Sequence, residues 1–383
     1  MNIVYDLREV LFQNRGWESY GTNLIKEILK NNGLKCSYIL ENKRLAQKNY
    51  PFLFTKNPKV LELKINKLPR EKAKFDKTAQ DFIESNDIFH SLTDYPEFLP
   101  KKAKLIVSIH DLSFFILPKY RPKKFVRLML SNLKYVLSNA KAVICFSKAT
   151  RKLLAEYIKS SGINYHNDIF TIPHGIDKGF FSQPAKSIKP VLNSLRIFKP
   201  YLLYVGGLEK DKNIENLIAA FLKLSEYKNK LELILVGPPN KESKSLIKNT
   251  KTKINPGIRY LGYVDKESLR CLYSGAELFV SPSLDEGFGL PPLEAVSCQT
   301  AVACSKIPAF YENLGRGAFY FNPNNIENIY KVLCYVLKHP KEKRKVLAVA
   351  QKKINKLSWE KAAKSTILAY RKTFNKYDKN TAY

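Results

Sequence analysis

Short apolar runs recur along the chain, and most end in glycine, proline, serine or aspartate before a stretch whose apolar residues fall at helical spacing. Ile3-Val4-Tyr5, Leu105 to Ile109, Ala142 to Phe146, Ile169 to Ile172, Tyr201 to Val205, Leu231 to Val236, Ile258 to Val264, Leu278-Phe279-Val280, Ala301 to Cys304 and Ala318 to Phe321 are nearly continuous in apolar character, the pattern of strands covered on both faces. Helical spacing follows at Thr22 to Lys30, Thr150 to Tyr157, Ile214 to Leu224 and Lys266 to Ser274, and again from Leu293. Strand, turn and helix in alternation predict an α/β fold with parallel sheets. A chain of 383 residues has room for two such domains. Phe181 to Lys199, rich in proline, serine and lysine, reads as a linker; the boundary is placed near Lys189, with residues 1–189 as one domain and a second opening at 190.

Composition narrows the partners. A hydrophobic fraction of 45% supports a packed core, and no apolar run reaches the length of a membrane span. The chain opens directly on Asn2-Ile3-Val4-Tyr5-Asp6, without the features of a signal peptide, so a cytoplasmic protein is expected. Cys36, Cys145, Cys271, Cys298, Cys304 and Cys334 include no CxxC pair and no nearby histidine at metal spacing, and read as reduced packing residues. The net charge of +31 suits nucleic acid, anionic lipid or phosphorylated substrates. No helix-turn-helix, zinc or RNP pattern supports nucleic acid, which is therefore not expected as a partner.

Between Leu112 and Val136 the cations Lys119, Arg121, Lys123, Lys124, Arg127 and Lys134 occur with no acidic residue, interleaved with Phe114, Phe115, Tyr120, Phe125 and Leu130. Such a mixture suits docking on an anionic membrane surface, and it equally suits a helix with one solvated face. Lys119, Arg121, Lys123, Lys124 and Arg127 are the residues expected to dock the protein peripherally on the inner face of the membrane, on the acceptor side.

Three stretches carry candidate chemistry. Ser281 to Ala295 reads as a loop feeding a helix, with Glu286 in the loop, Glu294 in the helix, and Gly287 and Gly289 allowing close backbone approach to a ligand around Phe288 and Leu290. Gly206-Gly207, followed by Lys210, Lys212 and a helix start, forms a plausible diphosphate cradle. His110-Asp111 ends an apolar strand, where open parallel sheets place their ligands, and His110 is a candidate site residue.

Glu286-Gly287-Phe288-Gly289-Leu290-Pro291-Pro292-Leu293-Glu294-Ala295, two glutamates separated by seven residues, resembles the donor-site motif of the retaining GT-B glycosyltransferases of family 4. Other phrases are similar in order: Ile172-Pro173-His174-Gly175-Ile176-Asp177, Asp211-Lys212-Asn213, Gly262-Tyr263-Val264 and Ser358-Trp359-Glu360. The resemblance implies two Rossmann-like domains facing each other across a cleft, with residues 190–358 binding a nucleotide sugar and a helix over 359–383 returning to the first domain. It implies that Glu294 holds the ribose hydroxyls and that Glu286 and His110 orient the donor sugar. Gly16 stands in the family's first glycine-rich turn, Val264 in its base-recognition segment, and Gly237 at the end of a donor-domain strand. Trp17 and Glu18 depart from that turn, His174 stands where asparagine is common, and Asp211 replaces an arginine. Asp211 leaves either Lys210 as a substitute charge or a carboxylate turned to solvent.

The implied activity is metal-independent hexosyl transfer from a GDP- or UDP-linked sugar, with no further cofactor, to a glycan or lipid-linked acceptor in cell-surface polysaccharide synthesis. The sequence offers no DxD-type site at the relevant strand end. The second-domain phrases look most like bacterial polysaccharide mannosyltransferases, which points to mannose. Asp211 and the Trp17-Glu18 loop leave a catalytically silent nucleotide-sugar binder as the alternative.

Overall fold

A computed structural model describes residues 1–11, 16–64, 77–238 and 257–378. The chain divides into two compact units, Met1–Gly175 with Ser358–Tyr383, and Ile176–Leu357. The expected boundary at Lys189 falls inside a helix, Ala185–Ser194. No residue of that helix is buried, so its composition is that of a linker. Tertiary contact with the helix Lys266–Gly275 holds it in the second unit, with Gln183 N donating to Ser274 Oγ at 3.0 Å.

The first unit holds β1 (Asn2–Asp6), β2 (Lys35–Leu40), β3 (Lys59–Glu62), β4 (Ile88–Ser91), β5 (Lys104–Ile109), β6 (Ala142–Cys145) and β7 (Asp168–Thr171) in a seven-stranded sheet of order β3-β2-β1-β4-β5-β6-β7. Every pairing is parallel. Burial of β4 and β6 along their whole length explains their unbroken apolar sequence. β3 is a short edge strand with charged ends, which is why the lysine-rich region around it carries little strand signal.

The helix expected from Thr22 begins at Gly16 and runs to Ile28. Its first turns are tied down by Thr22 Oγ1 donating to Glu18 O at 2.6 Å and Asn23 Nδ2 to Ser19 O at 2.8 Å. The helix Trp359–Asp378 packs on it and belongs to the first unit, burying Trp359, Ala363, Tyr370 and Thr373.

The second unit holds β8 (Tyr201–Val205), β9 (Glu232–Val236), β10 (Ile258–Gly262), β11 (Leu278–Ser281), β12 (Val302–Ser305) and β13 (Phe319–Phe321) in a six-stranded sheet of order β10-β9-β8-β11-β12-β13. It too is parallel throughout. Each unit is a Rossmann-like sheet whose strand order reverses once, beside β1 and β4 in the first unit and beside β8 and β11 in the second. Ligands of open parallel sheets bind outside the carboxyl ends of the strands at such points.

Candidate functional site

In the second unit the loops after β8 and β11 meet at the reversal point. Lys212, at the end of a 3-10 turn over Lys210–Lys212, places Nζ 2.7 Å from Glu286 Oε1, and Ser283 Oγ donates to the same oxygen at 2.9 Å. Asn213 adopts a left-handed conformation (φ 58°), and its Nδ2 donates to the carbonyls of Pro282 at 3.1 Å and Pro323 at 2.8 Å. That amide ties three loops together, a role no local sequence pattern announces. Asp211 is 1% exposed, its Oδ2 lies 4.0 Å from Lys212 Nζ, and its carbonyl accepts from Leu284 N at 2.8 Å. Of the two alternatives for Asp211, the one that turns it to solvent is excluded: the carboxylate is inside, beside the lysine, because its main chain is pinned to the loop after β11.

Gly206 and Gly237 pack backbone on backbone at the ends of β8 and β9. A Cβ added to Gly237, at φ +147°, would fall 1.8 Å from the Gly206 carbonyl. Gly207 offers its carbonyl to Tyr204 Oη at 2.6 Å. Gly289 caps the helix Leu290–Ser297 at φ 81°, and an added Cβ there would meet the Phe310 ring at 2.5 Å, so both its conformation and its packing require glycine. Pro291 and Pro292 carry no N–H, which leaves few amides at this helix end to face an anion. Gly287 and Phe288 are buried, and the Phe288 carbonyl accepts from Asn313 Nδ2 at 2.6 Å. Val264, half-buried, follows β10 beside exposed Tyr263.

Glu294 lies inside the helix and accepts from the buried Tyr273 hydroxyl at Oε2, 2.9 Å away. Burial pushes the Glu294 carboxyl up to about 7, against the opposing pull of Tyr273 and Lys266. Tyr273 was not among the sequence candidates. The available signal is a tyrosine within the helical apolar pattern of Lys266–Gly275, whose hydroxyl needs a partner once buried.

In the first unit His110 stands one residue past β5. Its backbone N–H donates to Asp94 Oδ1 at 2.5 Å, and its ring Nε2 lies 2.8 Å from the Leu92 carbonyl. A carbonyl only accepts, so Nε2 carries the proton and Nδ1 is the acceptor. Burial lowers the imidazole to about 4, which makes it neutral at pH 7. Around it stand Trp17 at 5.7 Å, Tyr20 at 5.4 Å, Phe146 at 4.7 Å and His174 at 6.2 Å between ring centroids. Trp17 and His174, departures from the family's pattern, are thus walls of one aromatic enclosure. Glu18 instead accepts from Tyr50 Oη at 2.7 Å. Gly16 has open space around its Cα.

Tyr20 also begins a buried polar chain. It bonds Ser108 Oγ at 2.9 Å, which bonds His90 Nε2 at 2.9 Å; His90 Nδ1 bonds the Tyr370 hydroxyl at 2.6 Å, which meets Tyr5 Oη at 3.1 Å. After β1, buried Arg8 pairs with Asp6 at 2.5 Å and with Glu97. Neither array is visible in local sequence, since each joins residues from distant segments.

The basic stretch forms a short helix Ser113–Ile116, a turn Pro118–Tyr120 and the helix Lys123–Asn139. Lys119, Lys123, Lys124 and Arg127 are exposed, Arg121 is partly covered, and Phe125 is 42% exposed among them. The opposite face buries Met129, Leu133, Val136 and Leu137. No helix of the described residues is long and apolar enough to cross a membrane.

Comparison with known proteins gives this arrangement a family. The model of the glycosyl transferases group 1 family matches residues 193–353. The O-antigen chain mannosyltransferase B of Escherichia coli is 33% identical over 279 residues, covering 72% of each chain. Two solved structures share the fold: a sucrose-phosphate synthase from Thermosynechococcus elongatus (TM-score 0.75, 20% identity, 98% of this chain and 99% of that one) and HepE of Anabaena in complex with UDP and glucose (TM-score 0.75, 14% identity, 97% and 100%). With two parallel Rossmann-like sheets of GT-B type and a relative this similar over most of its length, the chain belongs to the group 1 glycosyltransferase family and is a glycosyltransferase.

Proposed function

We propose that the protein is a retaining mannosyltransferase that moves mannose from a nucleotide-diphosphate donor, GDP-linked before UDP-linked, to a growing bacterial surface polysaccharide. The observation that carries the donor site is the Lys212–Glu286–Ser283 cluster at the sheet reversal, with Glu294 on the next helix. A mannosyltransferase name on the relative that is 33% identical supports the sugar.

When the donor's C1–O bond breaks, negative charge builds on the leaving phosphate oxygen. Lys212 and the amides of the glycine-rich loops stabilise that charge without a metal. The acceptor hydroxyl attacks from the face of departure, and the leaving phosphate takes its proton, so no enzymic nucleophile is assigned. Glu286 fixes Lys212 and orients the donor sugar. In the first unit the neutral His110 offers Nδ1 as an acceptor for a sugar hydroxyl. Glu294 accepts from the ribose. Lys119, Lys123, Lys124 and Arg127, with exposed Phe125, hold the protein on an anionic surface where a lipid-linked acceptor is presented.

The test is incubation with GDP-mannose, UDP-glucose and UDP-galactose and a synthetic O-antigen oligosaccharide in the presence of a chelator, followed by mass spectrometry and anomeric NMR. Mannose transferred with the donor's anomeric configuration supports the reading. Inversion overturns the mechanism, and loss of turnover on chelation overturns metal independence. A buried Asp211 where the family has arginine favours a second reading, a nucleotide-sugar binder without turnover. Donor binding with no transfer to any acceptor would establish that one.

A further inference from the structure

Tyr273 is a buried polar residue of the second unit that the donor reading leaves without a role. It lies on the helix Lys266–Gly275 and is 0% exposed. A phenol removed from water needs a partner, and this one donates to Glu294 Oε2 at 2.9 Å. The ring is held by Phe180 at 5.8 Å and Phe279 at 5.6 Å between centroids. Its carbonyl accepts from Thr300 Oγ1 at 2.5 Å, and Thr300 N donates to the carbonyl of Ala295, the residue after Glu294, at 2.9 Å. Tyrosine and glutamate are therefore referred to one short rigid frame. Among the described residues, Glu294 Oε1 receives no hydrogen bond.

We propose that Tyr273 is the positioning residue of the donor's ribose contact: its hydroxyl engages Oε2 of Glu294, fixes the carboxylate plane, and leaves Oε1 to the ribose hydroxyls. The proposal rests on the reading of Glu294 as the ribose contact. It also makes the phenol an electrostatic partner, because the donated hydrogen bond favours the ionised carboxylate that ribose needs. The other groups facing Glu294 are Lys266, which favours ionisation, and Asp177, which opposes it. Those two are paired with each other. Cys298, which caps the C-terminal end of the same helix, is a thiol pushed up by burial and stays neutral. With the carboxyl held up to about 7, ribonucleotide affinity rises with pH through neutrality. Without the phenol hydroxyl that rise moves to higher pH.

The experiment titrates the full chain and its Tyr273→Phe variant calorimetrically with UDP and GDP, each beside its 2′,3′-dideoxy counterpart, from about pH 6 to 8.5. The dideoxy ligand has the same phosphates, so the ratio of the two affinities isolates the ribose contact. The variant should lose about tenfold in ribonucleotide affinity and under twofold in dideoxynucleotide affinity, with the midpoint of the ratio's pH dependence raised. Glu294→Gln, which cannot titrate, should abolish that pH dependence. Equal losses for both ligands, or an unmoved midpoint, would reduce Tyr273 to packing and overturn the proposal. If Glu294→Ala weakens ribonucleotide binding while Tyr273→Phe does not, this proposal alone fails. If Glu294→Ala changes nothing, or neither nucleotide binds the parent, the donor reading fails and takes the proposal with it.

Discussion

Lys212 Nζ and Glu286 Oε1 stand 2.7 Å apart, with side chains 22% and 23% exposed, so the lysine of the candidate diphosphate cradle is already engaged by a carboxylate. A diphosphate must share or displace that partner, and Glu286 therefore sets the position from which the lysine acts. Lys212→Ala should weaken binding of UDP or GDP by roughly 1.5–3 kcal/mol, the worth of a hydrogen bond to a charged group. Glu286→Gln should leave that affinity unchanged or raise it while slowing turnover by about 10²–10³, as loss of an oriented transition-state contact does. Titration calorimetry and steady-state rates separate the two. Equal effects on binding and rate in both variants would remove the division of labour.

Asp211 gives a second prediction. Its carboxylate is 1% exposed and 4.0 Å from Lys212 Nζ, so an arginine there, attractive from sequence, lacks room. Asp211→Arg should destabilise the fold by about 1–3 kcal/mol, whereas Asp211→Asn should fold and bind the nucleoside diphosphate more tightly by removing a like charge. Thermal melts and calorimetry read both, and a stable arginine variant with enhanced affinity would contradict the packing argument.

The buried chain around His90 predicts acid sensitivity. Burial holds His90 down at about 3, against an ordinary 6.5, so between those values the unfolded chain binds a proton that the folded chain does not. Stability from this group is complete above about pH 6.5 and declines as the pH falls toward 3. His90→Gln should cost about 1–3 kcal/mol at pH 7, where Tyr370 and Ser108 lose a partner, and should reduce the further loss on acidification. Urea denaturation at pH 7 and at about pH 4.5 measures the difference. A variant as acid-labile as the parent would place the sensitivity elsewhere.

Membrane docking makes the fourth. Each exposed cation near an anionic leaflet contributes about 1 kcal/mol, and Phe125 adds an apolar contact. Glutamine at Lys119, Arg121, Lys123, Lys124 and Arg127 together should abolish sedimentation with phosphatidylglycerol vesicles at low salt and leave nucleotide affinity intact. Undiminished sedimentation would return this segment to an ordinary solvated helix.

Much of the fold was legible in order along the chain. Alternating apolar strands and amphipathic helices specify parallel α/β units because burial on both faces writes itself into local composition, as in Leu278–Ser281 and Ala142–Cys145. The loop after Ser281 and the helix start that leads to Glu294 were legible for a similar reason: glycine and proline report backbone conformation directly, as Gly289 does at φ 81°. The edge strand Lys59–Glu62 and the helix Ala185–Ser194 were not, because elements that bury nothing carry the composition of a loop.

Only the tertiary structure decided which polar groups meet. Lys212 reaches Glu286 across 74 residues, Tyr273 reaches Glu294 across 21, and the C-terminal helix brings Tyr370 to His90 across 280. Parallel strand order gathers loops from distant segments at one sheet end, so a side chain's partner, burial and charge state follow from what the other loops bring there. Asp211 is the clearest case: as a residue type it belongs in solvent, and the main chain around Leu284 holds it inside.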